Sequence, residues 1–144
     1  MSKINVVCPH CGGVNAIPLK DSYSKAACGH CKASLLDTKP LSLNNETFDR
    51  LMLNDERLII ADFWAPWCGP CRSMAPAFEE AAKSFPLKVQ FVKINTEEQQ
   101  AIAGRFSIRS IPTIIAFKNN RVVDQISGAL PASQIIMGTQ ASLI

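Results

Sequence analysis

The stretch Leu58-Ile59-Ile60-Ala61-Asp62-Phe63-Trp64-Ala65-Pro66-Trp67-Cys68-Gly69-Pro70-Cys71 passes from a nearly continuous apolar run into two cysteines separated by two residues. Bounded by Arg57 before it and Ala65-Pro66 after it, Leu58 to Trp64 suits a strand buried on both faces. A helix is expected from about Cys68 to Ser84, because apolar residues at 74, 78, 81, 82 and 85 trace one face. Cys71 falls on that face, three residues before Met74, and should be the more buried thiol. Cys68 stands at the helix start, where unpaired backbone N–H groups and the positive end of the dipole stabilise a thiolate, so it is the expected nucleophile. The Gly69-Pro70 spacer permits the Cα separation of under about 7 Å that a disulfide needs, and Cys71 can then close the ring. The rival readings are two inert thiols or half of a metal site. No other C-x2-C pair follows, however, and both histidines lie far upstream.

Working outward, Asp62 interrupts the apolar run. Burial should raise its pKa, which suits a proton acceptor for Cys71 through water, with Lys93 on the next strand as a candidate partner. Trp67, a large aromatic beside the nucleophile, is read as part of a docking surface. Upstream, Leu41 to Leu43 reads as a short strand, followed by a helix capped near Asn44 or Asn45 that carries Phe48, Leu51 and Met52. Downstream come a strand from Val89 to Ile94, a helix from Glu97 to Phe106 with acidic residues in its first turn, and a strand from Thr113 to Phe117. Asn119-Asn120 marks a hairpin into Val122 to Ile126, and a last helix begins after Pro131. The order βαβαβαββα predicts an α/β fold with a mixed central sheet flanked by helices. Pro76 should kink the long helix, Gly128 is a turn, and Ile111-Pro112 would on base rates alone be trans.

The N-terminal segment carries the other four cysteines as Cys8-Pro9-His10-Cys11 and Cys28-Gly29-His30-Cys31, two C-x2-C pairs at zinc-ribbon spacing. Gly12 and Gly29 would supply the backbone freedom of the turns, and four thiolates would close a tetrahedral shell around one zinc ion with no position left for water. Such a site is structural, and a segment this short needs the metal to fold. Redox-active tetrapeptides and unrelated free thiols are the alternatives, although neither pair follows a buried strand or opens a long helix. His10 and His30 are read as surface residues. The pattern changes around Asp37-Thr38-Lys39-Pro40, which divides a ribbon at 1–37 from a second domain at 38–144.

Composition narrows the remaining classes. With 144 residues, 47% of them apolar and 19% charged, the chain suits one well-cored domain and a small appendage, and is neither disordered nor collagen-like. Residues 1–40 hold five lysines against Asp21 and Asp37. A zinc ion bound by four thiolates would leave that segment near neutral, and Tyr23 is its single aromatic, so nucleic-acid binding is not expected. No run of about 18 apolar residues and no leader pattern is visible, so neither membrane insertion nor export is expected and a cytoplasmic location is.

Ala61-Asp62-Phe63-Trp64-Ala65-Pro66-Trp67-Cys68-Gly69-Pro70-Cys71, then Pro76, Lys93, Ile111-Pro112-Thr113 and Gly128, resemble the thioredoxin family in order and spacing over about residues 40 to 144. With the four-cysteine ribbon in front, the chain is similar to the zinc-binding, second-type thioredoxins of bacteria. The resemblance implies a thioredoxin fold and a cis Pro112, reversing the base-rate reading. It also implies a substrate groove of Trp67, Gly69, Pro70, Ile111, Pro112 and Gly128 beside Cys68, and an Asp62 near Lys93 that assists Cys71. The implied activity is that of a monomeric protein disulfide reductase in electron transport. It would act on disulfide-containing proteins and be regenerated by thioredoxin reductase with NADPH; no organic cofactor is expected on a chain without a dinucleotide fingerprint. Pro66 stands where the family often has an acidic residue, and Asn120 where a glycine is usual. The alternatives are a binding module that uses the ribbon to recruit a protein, and a zinc site that responds to oxidation.

Overall fold

The computed structural model describes residues 2–143. It begins with an antiparallel pair, β1 (Lys3–Val7) and β2 (Val14–Pro18), in register from Lys3 opposite Pro18 to Val7 opposite Val14. The sequence pattern does not announce these two strands. Then follow β3 (Leu41–Ser42), α1 (Asn45–Asn54), β4 (Leu58–Trp64), α2 (Gly69–Ala82), β5 (Val89–Asn95), α3 (Gln100–Arg105), β6 (Thr113–Lys118), β7 (Arg121–Ser127) and α4 (Ala132–Ser142). The larger sheet has the order β3-β5-β4-β6-β7, with β3, β5 and β4 parallel and β6 and β7 antiparallel to their neighbours. This is the thioredoxin fold expected from the sequence, a mixed sheet flanked by helices.

Local chemistry sets the element ends. The Asn44 side chain accepts the Thr47 N–H at 2.9 Å while Thr47 Oγ1 accepts the Asn44 N–H at 2.8 Å, a reciprocal cap that starts α1 at Asn45. Asn119 and Asn120 both adopt positive φ, which lets a two-residue turn match the twist of β6 and β7. Helix α3 is shorter than expected, because the Asn95 side chain accepts the N–H groups of Glu97 and Glu98 and holds them in a turn; the acidic pair therefore precedes the helix.

β4 is the central strand, and its residues divide between two cores. Ile59, Ala61 and Phe63 face α1 and α3, packing with Phe48, Leu51, Met52 and Ile102. Leu58 and Ile60 face α2 and α4, packing with Met74, Phe78 and Ile135. Alternation along the strand places Asp62 on the second face, beneath α2.

The N-terminal lobe is fastened to this sheet by buried polar groups. Arg57, immediately before β4, donates from Nε and Nη2 to Asp55 at 2.9 and 2.6 Å, and from its two terminal nitrogens to Leu87 O and Gln90 Oε1. The same pair holds Val7 at both backbone groups: Asp55 Oδ2 accepts its N–H at 3.0 Å and Arg57 reaches its carbonyl at 3.5 Å. Beside it, Asn5 and Glu56 exchange two further bonds of 2.7 and 2.9 Å. Apolar groups are exchanged as well, since the Val7 side chain enters the α1 core while Leu87 joins Val6, Cys8, Ile17, Cys28 and Leu35 of the lobe. Arg57 and Leu87 precede β4 and β5, whereas Cys68 follows the far end of β4, a strand of about 20 Å.

Candidate functional site

Cys68 and Cys71 form a disulfide with Cα atoms 5.2 Å apart. Cys68 is the residue that caps α2 rather than its first helical residue, and its Sγ accepts the Cys71 N–H at 3.2 Å. Gly69 and Pro70 open the helix, where proline's missing N–H would have no helical partner in any case. Beyond its chain neighbours and the backbone of its own helix, no atom lies within 4 Å of where a Cβ on Gly69 would stand, so the spacer faces open surface. The expected contrast in burial is smaller than the pattern implied: Cys68 is 4% exposed and Cys71 2%. Ala65, Trp64 and Ile111 enclose both sulfurs, and the Ile111 carbonyl lies 3.8 Å from Cys68 Sγ. Trp67, in contrast, is 64% exposed beside them.

The Ile111-Pro112 bond is cis, which corrects the base-rate reading and agrees with the resemblance. Gly128 has φ 103° and donates its N–H to the Pro112 carbonyl at 2.8 Å, so the loops before β6 and after β7 are tied together. Phe63, Thr113 and Ser127 form one row across β4, β6 and β7. The Trp67-Cys68 turn, Pro112 and Gly128 all lie just beyond that row, so the structure gathers the expected groove residues at one end of the sheet.

Asp62 is completely buried, and neither carboxylate oxygen has a hydrogen-bond partner. Burial pushes its pKa from 3.8 up to about 7, with the nearby Lys93 charge pulling the other way. Lys93 is directly opposite Asp62 on β5 and shares its face. It forms no ion pair with Asp62, however: its ammonium sits over the Trp64 ring, 4.5 Å from the centroid. Nothing in the order of residues signals that contact, nor Arg72 donating to the Pro66 carbonyl at 2.8 Å across the active turn.

The four N-terminal cysteines converge as expected, with their sulfurs all within 4.8 Å of one another. Cys8 and Cys31 are 3.8 Å apart, and Cys11 and Cys28 3.6 Å. A tetrahedron with metal–sulfur bonds of about 2.3 Å has edges of about 3.8 Å, so the arrangement fits a four-thiolate metal site. Two matching turns present the sulfurs. Cys8 O accepts the Gly12 N–H and Cys28 O the Lys32 N–H, with Gly12 and Lys32 both at positive φ. The second turn thus draws its left-handed residue from Lys32 and not from Gly29, whose N–H instead donates to the Asn15 side chain. The Asn15 amide, followed by backbone N–H groups of the turn, donates to the Cys28 sulfur and pulls its pKa below the usual thiol value. His10 lies 3.5 Å from Asp37 and His30 3.2 Å from the Val14 carbonyl; both are exposed and outside the cluster.

The thioredoxin family model matches residues 39–141. Among related proteins, thioredoxin C-3 of Corynebacterium nephridii is 39% identical over 125 residues, 87% of this chain and 86% of that protein. Thioredoxin of Haemophilus influenzae is 44% identical over 66% of this chain and 89% of its own length. Among solved structures, spinach chloroplast thioredoxin f superposes with a TM-score of 0.69 at 30% identity, covering 76% of this chain and 90% of that one. The chain belongs to the thioredoxin family, whose members are thiol–disulfide oxidoreductases.

Proposed function

We propose that the chain is a protein disulfide reductase working through Cys68 and Cys71, with one zinc ion held by Cys8, Cys11, Cys28 and Cys31. The observation that carries the redox assignment is Cys68 Sγ at the cap of α2, receiving the Cys71 N–H while facing the cis Pro112 loop. In the reduced protein that N–H and the helix dipole favour the Cys68 thiolate. The thiolate attacks one sulfur of a substrate disulfide; a bond forms between Cys68 and that sulfur, and the other substrate sulfur leaves as a thiolate that takes a proton from water. Cys71 then gives its proton to the Asp62 carboxylate through water, and its sulfur attacks Cys68. The second substrate sulfur departs as a thiolate and takes up the proton that Asp62 gives back through water; the Cys68–Cys71 disulfide remains, and two electrons have passed to the substrate. Asp62 suits this step because a pKa of about 7 lets it alternate between protonation states at neutral pH, while Lys93 limits how far burial raises that value.

Trp67, Gly69, Pro70, Ile111, Pro112 and Gly128 form the surface on which the substrate lies. Thioredoxin reductase with NADPH returns the electrons, and the protein acts as a cytoplasmic monomer. The zinc reading is supported by the sulfur spacing of the four N-terminal cysteines. When bound, zinc would hold four thiolates together and supply stability to a lobe with little core of its own.

The test is reduction of an interchain protein disulfide by NADPH and thioredoxin reductase. Wild type should turn over, Cys68→Ser should not, and Cys71→Ser should accumulate a mixed disulfide with substrate. Normal turnover by Cys68→Ser would sink the mechanism. A metal assay alongside should find one zinc per chain, and its retention during a peroxide titration of activity would assign the site to structure and reject a redox switch.

A further inference from the structure

Two exposed arginines lie on the segments around the Cys68–Cys71 pair, and the segments that carry the two cysteines, Pro112 and Gly128 contain no carboxylate. Arg72 follows Cys71 on α2, is exposed, and is held over the Pro66–Cys68 turn by its bond to the Pro66 carbonyl. Arg109 is exposed in the loop before β6, two residues ahead of Ile111, whose carbonyl lies against Cys68. Segments 64–75, 106–113 and 127–131 carry these two charges and neither Asp nor Glu. Three of the other arginines are neutralised, Arg50 by Glu46, Arg57 by Asp55 and Arg105 by Asp49, and Arg121 opens β7 at the opposite end of that strand from Ser127. Among the described residues, Arg72 and Arg109 enter no ion pair. The exposed acidic residues Glu97 and Glu98 follow Thr96, which donates to the Trp64 carbonyl, and they lie on the opposite side of β4 from the Pro112 loop and Arg109.

We propose that Arg72 and Arg109 select disulfides whose cysteines are flanked by carboxylates. The inference rests on the reductase reading and names the substrate class of that site. An approaching acidic segment would place carboxylates where guanidinium groups can pair with them, while Trp67 and Ile111 offer apolar contact between the two charges. Because both arginines are in solvent, the preference acts mainly on the rate of productive encounter and is screened by salt, whose Debye length is about 8 Å at physiological ionic strength. The chemistry is unchanged, with two electrons and two protons passing from the Cys68/Cys71 dithiol to the substrate cystine.

The experiment uses the full-length protein, reduced with dithiothreitol and freed of it, mixed with three disulfide-linked peptides that differ only in having Glu, Gln or Lys beside each cysteine. Tryptophan fluorescence gives the second-order rate constant without a reductase. The expected order is Glu, then Gln, then Lys, with roughly tenfold between the extremes at low salt and convergence near 1 M salt. Arg72→Glu/Arg109→Glu should invert the order. Equal wild-type rates on all three peptides would overturn charge selection while leaving the reductase reading intact. Failure to reduce even the Gln peptide would overturn both. The wild-type salt series stands without the variant, and a preserved order in a folded double variant would remove these two residues from the assignment.

Discussion

Cys8-Pro9-His10-Cys11 and Cys68-Gly69-Pro70-Cys71 have the same spacing, yet the first pair joins another pair to form a four-sulfur cluster and the second closes on itself. The backbone that follows makes the difference. After Cys8 the chain reverses through Gly12 at φ 78°, and the N–H groups of His10 and Gly13 point at the sulfurs of Cys8 and Cys11. After Cys68 it enters fourteen residues of helix, so Cys68 receives a single N–H at the positive end of a dipole and Cys71 is carried into the core. A turn that aims two sulfurs at one point suits shared coordination, whereas a helix start that separates a cap from a core residue suits a couple with unequal members. The spacing alone says neither.

The most direct way to break this contrast is to exchange the damage. Cys68→Ser should reduce turnover by at least about 10³-fold with zinc content unchanged, while Cys8→Ser should empty the metal site and lower Tm. If folded Cys8→Ser loses turnover as completely as Cys68→Ser, the two sites are not separate in function. Next in size is the buried Asp55–Arg57 pair that joins the regions. Asp55→Ala leaves a buried guanidinium and the Val7 N–H without their acceptor, and should cost about 3–5 kcal/mol in urea unfolding. A loss confined to the N-terminal lobe, with the larger sheet unfolding as before, would show that the regions are not coupled.

Asp62 sharpens the comparison through pH. Its folded pKa is raised, so its favourable contribution is present below about pH 4 and is lost as pH rises towards 7. Asp62→Asn should therefore be more stable than wild type at pH 8, on the order of 3 kcal/mol, and nearly equal to it at pH 3.5. It should also slow release of the mixed disulfide near neutral pH. Equal stability at pH 8 would mean that the carboxylate is not strained by burial.

The central sheet is legible because its signals are local. Leu58 to Trp64 is apolar throughout, the Asn44 cap lies next to its helix, and the two asparagines mark their own turn. The interior carboxylate also announces itself, since Asp62 breaks an apolar run. What stays hidden depends on distant partners. Arg57 reads as an ordinary polar boundary to a strand, and only the arrival of Val7, fifty residues earlier, turns it into a buried clamp. The first two strands are hidden by brevity, because Lys3–Val7 and Val14–Pro18 alternate weakly and are overshadowed by the cysteines between and after them. Lys93 stands opposite Asp62 on the neighbouring strand, as expected, but no residue pattern shows that its ammonium settles on Trp64.

Val7 has a consequence for how this chain could be divided. Its side chain lies in the core of α1 while its peptide groups are gripped by residues that precede β4, so the visible change of composition near residue 37 is not a seam in the packing. A cut there would leave an empty socket on one face of the sheet, uncover Leu87 at the start of β5, and strand an acid and a base with unmet hydrogen bonds. Fusing the cysteine lobe to another member of the family would bring its four cysteines but not its anchorage, unless Asp55, Arg57, Leu87 and Gln90 travelled with it.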